Sequence, residues 1–559
     1  MKQKVLSFKS VRTLLIPLFI LMLVVAGCSK DTSSNKNGSG SKNQSNQGAG
    51  EAVKGGSIKI DQRVDYAHLD PAMAYDFGSW EVVLQFYDQL LTYKPDSSEL
   101  TTELADSYDV SEDGLTYTFK LKQGVKFWNG KEMKAQSFID QFERILTPAV
   151  GSPARGFIDP LVVGSTDFFE GKADKISGLE APDDYTLVIK LTEPRGNFLY
   201  VMGMPFFSPI DKEYVDSIGD KEFDRKPLGT GPWKMESYDV GKQMVLKKNE
   251  NYFKEGEPKL DEIVISIESN EQNSVLKFKQ GETAFIGWNQ EINSADFVQL
   301  QSDPNFKDML MKKELASTYY LALNNQVKPM DNVKVRQAIN MAIDKEKIVK
   351  LQNGRASVAN QILPPTMPGY QKNLPAEVDY KFDKEKAKKL LAEAGHPDGF
   401  KVEMLSTSGE TDQKIVQSIQ ADLKDIGIDV EIRPLSGASY SDGARSLKYG
   451  LVYTAWFQDF PDPTNFLDVL LNGAEVPANN WAAYNNSSVN EKLNKAKSMA
   501  FGQERIDLYV EIQNEILAEA PWVPLFNPVR YAIVQPWLKG YYQHPVLMDP
   551  LHDISMTKK

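Results

Sequence analysis

Tyr453-Thr-Ala-Trp-Phe-Gln-Asp-Phe-Pro-Asp-Pro-Thr-Asn-Phe-Leu-Asp-Val-Leu470 sets the reading of the whole chain. Led by Leu451 and Val452, the apolar run reads as a buried strand, and Asp459 arrives at its end among Trp456, Phe457 and Phe460. A carboxylate there needs a cationic or hydrogen-bonding partner, because an unpaired charge loses much of its solvation in a protein interior. That partner can be an organic cation such as an α-ammonium group, held by charge and by aromatic walls. It can equally be a helix N-terminus that Asp459 caps, or a surface Lys. Pro461-Asp462-Pro463 stops the strand, Thr464 is placed to cap a following helix, and Phe466, Leu467 and Leu470 form that helix's apolar face. A calcium loop does not fit: Asp459, Asp462, Asn465 and Asp468 recur every third residue, whereas an EF-hand uses alternate positions, a central Gly and a terminal Glu.

Outward from this stretch, 559 residues are enough for more than one lobe, since single cores stop growing near roughly 250–300 residues. A hydrophobic content of 41% with 25% charged residues excludes wholesale disorder. A net charge of −12 argues against a nucleic-acid partner, which would require a basic stripe. One Cys leaves no intramolecular disulfide, and His68, His396, His544 and His552 show no metal-ligand spacing, so neither a metal nor another cofactor is expected. Neither G-x-S-x-G nor HExxH occurs, which leaves a secreted hydrolase as the weaker alternative from another functional class.

At the start, Lys2, Lys4, Lys9 and Arg12 precede the apolar run Leu14 to Ala26, the pattern of a secretory signal over residues 1–27 and too short for a comfortable membrane span. Val25-Ala-Gly-Cys28 resembles the bacterial lipobox, with Val in place of the commoner Leu. The resemblance implies that Cys28 becomes the lipidated, palmitate-carrying first residue of the mature protein. Ser29 to Gly56 is Ser, Asn, Gly, Lys and Gln with almost no apolar residues, and cannot repay the entropy of ordering. Residues 28–56 are therefore expected to be a flexible tether reaching roughly 30 Å from a bilayer.

In the body, Ser57 to Asp61 alternates as a strand, and Trp80, Val83, Leu84 and Tyr87 share one helical face. Leu115–Leu121 after the turn Glu112-Asp113-Gly114, Val125–Trp128 closed by Asn129-Gly130, and Tyr185–Leu191 read as strands. Gly229 and Gly231 fit a tight turn needing unusual φ. Val335, Ala338, Ile339 and Ala342 form a core helix capped by Asp331 or Asn332. Lys386–Ala394 and Ile415–Ile426 are amphipathic helices, each stopped by a Gly and followed by a strand, which predicts a mixed α/β second lobe.

The run Leu104-Ala-Asp-Ser-Tyr-Asp-Val-Ser-Glu-Asp-Gly-Leu-Thr-Tyr-Thr-Phe-Lys-Leu-Lys-Gln-Gly-Val-Lys-Phe-Trp-Asn-Gly130 resembles the signature of the extracellular solute-binding proteins of family 5, the peptide-binding lipoproteins of ABC importers. Pro227 to Trp233, Phe278 to Glu282 and Asn332 to Asp344 agree in order and spacing, and the likeness covers residues 57 to 559. It implies an α/β, two-lobed periplasmic-binding-protein-like fold (type II, cluster C-like) with an extra strand-rich subdomain in the first lobe. Lobe 1 would comprise residues 57–270, with the subdomain about 100–190, and a return over 528–559. Lobe 2 would comprise 271–527, with Asn527-Pro528 as the return crossing.

Peptide-binding relatives hold the ligand's α-ammonium with an Asp in a motif similar to Trp456-Phe-Gln-Asp459-Phe-Pro-Asp462-Pro463, so the resemblance implies that role for Asp459, with Trp456 and Phe457 as walls. It places Tyr75, Asp76 and Phe77, in Tyr75-Asp-Phe-Gly-Ser-Trp80, where a segment pairs with ligand backbone in strand-like fashion. One feature departs. Dipeptide-selective relatives carry an Arg clamp just before the helix that here contains Ile415 to Ile426, whereas Ser406-Thr-Ser-Gly-Glu-Thr411 has none. The expected function is a lipid-anchored, monomeric, non-enzymatic protein on the extracytoplasmic face of the cell membrane, with a Gram-positive surface favoured. It would capture short peptides with a free α-amino group and deliver them to ABC permease and ATPase subunits. An oligosaccharide, a nickel chelate or an opine remains an alternative solute, and peptide sensing an alternative role.

Overall fold

The computed structural model describes residues 52–558 except 288 and 289, so the signal, Cys28 and nearly all of the tether lie outside the described residues. The first lobe is built on a four-stranded sheet in which Ser57–Gln62 runs parallel to Glu262–Ile267, followed by antiparallel Gln243–Lys248 and Trp233–Asp239. A second four-stranded sheet, all antiparallel, joins Ala105–Val110, Thr116–Leu121, Thr186–Lys190 and Leu179–Asp183 and forms the strand-rich subdomain. One apolar cluster unites these elements, from Ile58 through Phe119, Phe142 and Trp233 to Leu551 and Ile554 near the C-terminus.

The second lobe is a mixed sheet whose central strands, Ser317–Leu323 and Leu451–Phe457, are buried along most of their length. Its path runs from Trp522–Val534 to Ser317–Leu323 and Leu451–Phe457, both antiparallel steps, then to Phe400–Thr407 and Ile428–Leu435 in parallel. Along Ser317–Leu323 successive side chains alternate between two cores: Leu321 and Leu323 join Ile339, Ile415 and Ile419, while Tyr320 and Ala322 join Phe466, Leu467 and Tyr509. Strands covered by helices on both sides have no polar face, which is why Leu451, Val452 and Tyr453 run apolar without alternation. Trp522–Val534 passes unbroken through Asn527 and Pro528, pairing with Ala356–Val358 before pairing with Leu310–Glu314 and Phe285–Ile286.

Several local expectations need correction. Val125–Trp128 is not a strand; it turns back on itself through Asn129-Gly130, leaving an isolated bridge between Lys126 and Glu132. Gly229 and Gly231 do not have positive φ. A Cβ on Gly229 would stand 1.9 Å from the Phe86 carbonyl oxygen and one on Gly231 2.5 Å from the Phe86 carbonyl carbon, so glycine is required by close backbone approach instead. Thr464 is the first residue of the helix Thr464–Leu471, not its cap; its N–H and hydroxyl both donate to Asp462 Oδ1, at 3.0 and 2.6 Å. No helix among the described residues is long and apolar enough to cross a membrane.

Candidate ligand-binding site

A cavity of about 910 Å³ separates residues 75–80, 153–161 and 195–201 of the first lobe from residues 441–497 of the second. Asp459 faces it, and Asn465 determines how. The Asp459 N–H donates to Asn465 Oδ1 at 2.9 Å, Trp456 Nε1–H donates to the same oxygen at 3.1 Å, and Asn465 Nδ2–H donates to Asp459 Oδ2 at 2.9 Å. Asn465 itself is buried in the first turn of Thr464–Leu471. The strand end, the Pro turn and the helix start are thus tied around one amide.

From across the cleft the Tyr75 hydroxyl donates to Asp459 Oδ1 at 3.1 Å. Both donors are neutral, and no described Lys, Arg or His comes within ion-pair reach of the Asp459 carboxyl. Burial pushes that carboxyl up to about 6, with the Asn465 and Tyr75 hydrogen bonds pulling the other way. A positive group in the cavity would reverse the shift by supplying the missing counter-charge.

The residues singled out from sequence fall into place unequally. Trp456, Phe457, Asp459, Tyr75, Asp76 and Phe77 all line the cavity. Phe77 and Phe457 meet edge-on across the cleft at 5.4 Å, and the Tyr75 ring leans edge-on against Phe206 at 5.3 Å. Asp76, however, is engaged as an N-cap, its Oδ1 accepting from Ser79 N–H at 2.9 Å. Beyond Asp76 the segment is the helix Phe77–Phe86, so extended backbone is confined to the residues before Phe77. Cys28 lies outside the described residues.

Sequence reasoning missed Asn465 as the orienting group, and Arg195, Arg445, Glu475 and Lys497 as charged walls. These cationic and acidic residues come from four separate segments, so no local spacing announces them. Glu475 is half-buried, and burial plus the neighbouring Asp468 charge push its carboxyl up. Among the described residues, the three that gather possible metal-ligating atoms, Glu257, His552 and Asp553, are not part of the cavity lining.

The sequence profile described as bacterial extracellular solute-binding proteins, family 5 middle, matches residues 99–478. The chain belongs to this family. Heme-binding protein A of Haemophilus influenzae is 31% identical over 555 residues, covering 96% of this chain and 98% of the relative. The dipeptide-binding protein of Escherichia coli is 28% identical over 495 residues, covering 86% and 90%. A solved structure, the ABC transporter-associated periplasmic binding protein DppA from Helicobacter pylori in complex with the peptide STSA, superposes with a TM-score of 0.75 at 30% identity, covering 90% of this chain and 99% of that one. The family 5 fold is thus shared along nearly the whole described body.

Proposed function

We propose that this family 5 protein captures oligopeptides between its lobes and hands them to the permease of an ABC importer, with no chemistry of its own. Asp459 carries the reading. A carboxylate held in a cavity by two neutral donors, with no described cation in reach and its ionisation disfavoured by burial, is a receptor for an ammonium group. Tyr75, Phe77, Trp456 and Phe457 supply the aromatic surroundings that favour an organic cation over a hydrated metal ion. A heme reading, prompted by the Haemophilus relative's name, finds no His, Met or Cys among the described lining residues to serve as an axial ligand, and the lining Tyr75 hydroxyl is engaged with Asp459.

Without an Arg in Ser406 to Thr411, a fixed two-residue ruler is missing, and longer peptides fit better. The decisive measurement is competition by mass spectrometry between free-amine and N-acetylated tetrapeptide pools on the purified body. Free-amine peptides are expected to be retained and acetylated ones lost; equal retention would sink the amine assignment. Cys28 as the lipid anchor belongs to the same proposal, motivated by Val25-Ala-Gly-Cys28. It predicts that Cys28→Ala releases the protein from the membrane fraction, and unchanged membrane association would remove the anchor.

A further inference from the structure

One boundary between the lobes is joined by protein groups alone. Residues 195–200 of the first lobe seat on the turn that carries Asp459 and on the chain that ends the helix Ser487–Ser498. The Gly196 N–H donates to the Lys497 carbonyl at 3.1 Å, and Asn197 Nδ2–H donates to Thr464 Oγ1 at 3.2 Å. Tyr200 lies nearly parallel to Tyr93 of its own lobe at 6.4 Å and to Phe460 of the other at 6.5 Å, and it meets Phe501 edge-on at 5.9 Å. Phe460, the residue after Asp459, is buried in the first lobe's apolar cluster and not in those of its own lobe.

Gly196 is what lets the two backbones come this close. It has no positive φ, so its backbone conformation does not call for glycine. Space does. A Cβ at Gly196 would stand 2.3 Å from the Met499 carbonyl oxygen and 2.8 Å from Arg505 Nε, both in the second lobe. The first of these is backbone. The second belongs to a buried guanidinium held by Asp462 at 2.6 and 2.9 Å and by the Ala496 carbonyl at 2.8 Å. The glycine is therefore dictated by the opposite lobe and not by its own.

We propose that Gly196 is the positioning residue of lobe closure, seating the first lobe backbone to backbone on the Asp462–Arg505 anchor of the turn that carries Asp459. The proposal rests on the capture reading above. Because these contacts join protein to protein, they favour the closed arrangement whatever peptide occupies the cavity, and the ligand has to supply only the remainder of the closing free energy. Capture then depends little on side-chain sequence, since the part of closure that residues 195–200 supply is the same for every peptide.

The test uses the full chain and two substitutions. Gly196→Ala adds the Cβ that the second lobe excludes, whereas Tyr200→Ala withdraws a ring and adds nothing. Amide exchange read by mass spectrometry follows residues 195–201 and 496–502 separately, without and with a free-amine tetrapeptide pool, and equilibrium dialysis reads affinity for that pool. Without peptide, Gly196→Ala is expected to speed exchange in both segments together by about ten-fold or more, with the strand Thr116–Leu121 and the helix Val333–Ala342 unchanged. Affinity for the pool should fall by about ten-fold. Tyr200→Ala should move the same two segments in the same direction, and it carries the test if Gly196→Ala does not fold. Faster exchange in 195–201 alone would make Gly196 a matter of the first lobe's local fold, and no change in either segment would mean that the lobes do not meet here in solution; both results overturn the proposal. A wild type whose two segments stay unprotected until peptide is added overturns it too, because closure would then come from the ligand. The amine reading fails separately: if free-amine and N-acetylated pools bind the wild type alike, the Asp459 assignment falls while the exchange comparison stands.

Discussion

Asp462 and Asp459 leave the same turn three residues apart, yet one is sealed by protein and the other is left open to the cavity. Asp462 is wholly buried and accepts from Arg505 Nη1 at 2.6 Å and Nη2 at 2.9 Å, while Arg505 Nε–H donates to the Ala496 carbonyl at 2.8 Å. Thr464 satisfies the remaining capacity of Oδ1. Asp459 has only Asn465 and Tyr75, both neutral. The same residue type on one loop therefore takes two fates: a carboxylate with a protein counter-charge fixes the loop, and a carboxylate without one is available to a ligand. The fixed one makes the open one useful, because the Asp462–Arg505 pair fastens the turn whose Asn465 aims Asp459.

The widest contrast is expected from removing each charge. Asp462→Ala leaves Arg505 buried without its partner, and unfolding by urea should show a loss of about 3–5 kcal/mol. An unchanged urea midpoint would mean that Arg505 finds another partner and that the pair does not anchor the turn. Asp459→Asn should do the reverse to the ligand-free protein. Its carboxyl lies at about 6 in the fold against an ordinary 3.8, so the folded state holds the proton more tightly than the unfolded chain does. That group therefore subtracts stability as pH rises from about 4 through about 6, and the substitution should add roughly 1–3 kcal/mol at pH 7. The same change should weaken a free-amine peptide by about 2–5 kcal/mol, read by calorimetry.

Binding should also respond to the ionisation of Asp459. An ammonium ligand binds the ionised form of Asp459, so affinity should be full above pH 6 and fall by up to about ten-fold for each unit below it. The D459N variant should show no such slope between pH 5 and 7. A wild-type profile as flat as the variant's would mean that Asp459 does not titrate with ligand binding and is not the ligand's counter-charge.

What was legible in the sequence follows the range of each interaction. The strand Leu451–Phe457, the core helix Val333–Ala342 with its Asn332 cap, and the helix–Gly–strand unit of Glu410–Lys424, Gly427 and Ile428–Leu435 show in periodicity and local stops. Asp76 as an N-cap was legible too, since Asp76-x-x-Ser79 is a local pattern, but the backbone-pairing expectation hid it. Arg505 could not be found this way: it stands 43 residues beyond Asp462, and no periodicity couples them. Arg445 and Glu475 are equally silent, because each reads as an ordinary exposed charge until the fold brings it to the cavity.

Tyr75→Phe sharpens the comparison most finely. Its hydroxyl donates to Asp459 Oδ1 from the opposite lobe at 3.1 Å, so it favours the ionised carboxylate and joins the two sides of the cleft in one contact. Removing the hydroxyl leaves the ring on Phe206 and Trp80 in place and deletes a single neutral donor. If Asp459 is reserved for a ligand cation, the ammonium remains the dominant partner, and affinity should fall by only about 0.5–1.5 kcal/mol, far less than in D459N. The pH midpoint of binding should move upward at the same time, because the ionised form has lost one of its two supports. A loss as large as that of Asp459→Asn would place the weight on lobe closure through Tyr75 instead of on the charge. No change in either affinity or midpoint would show that Asn465 alone holds Asp459 ready, leaving the second lobe to make the receptor by itself.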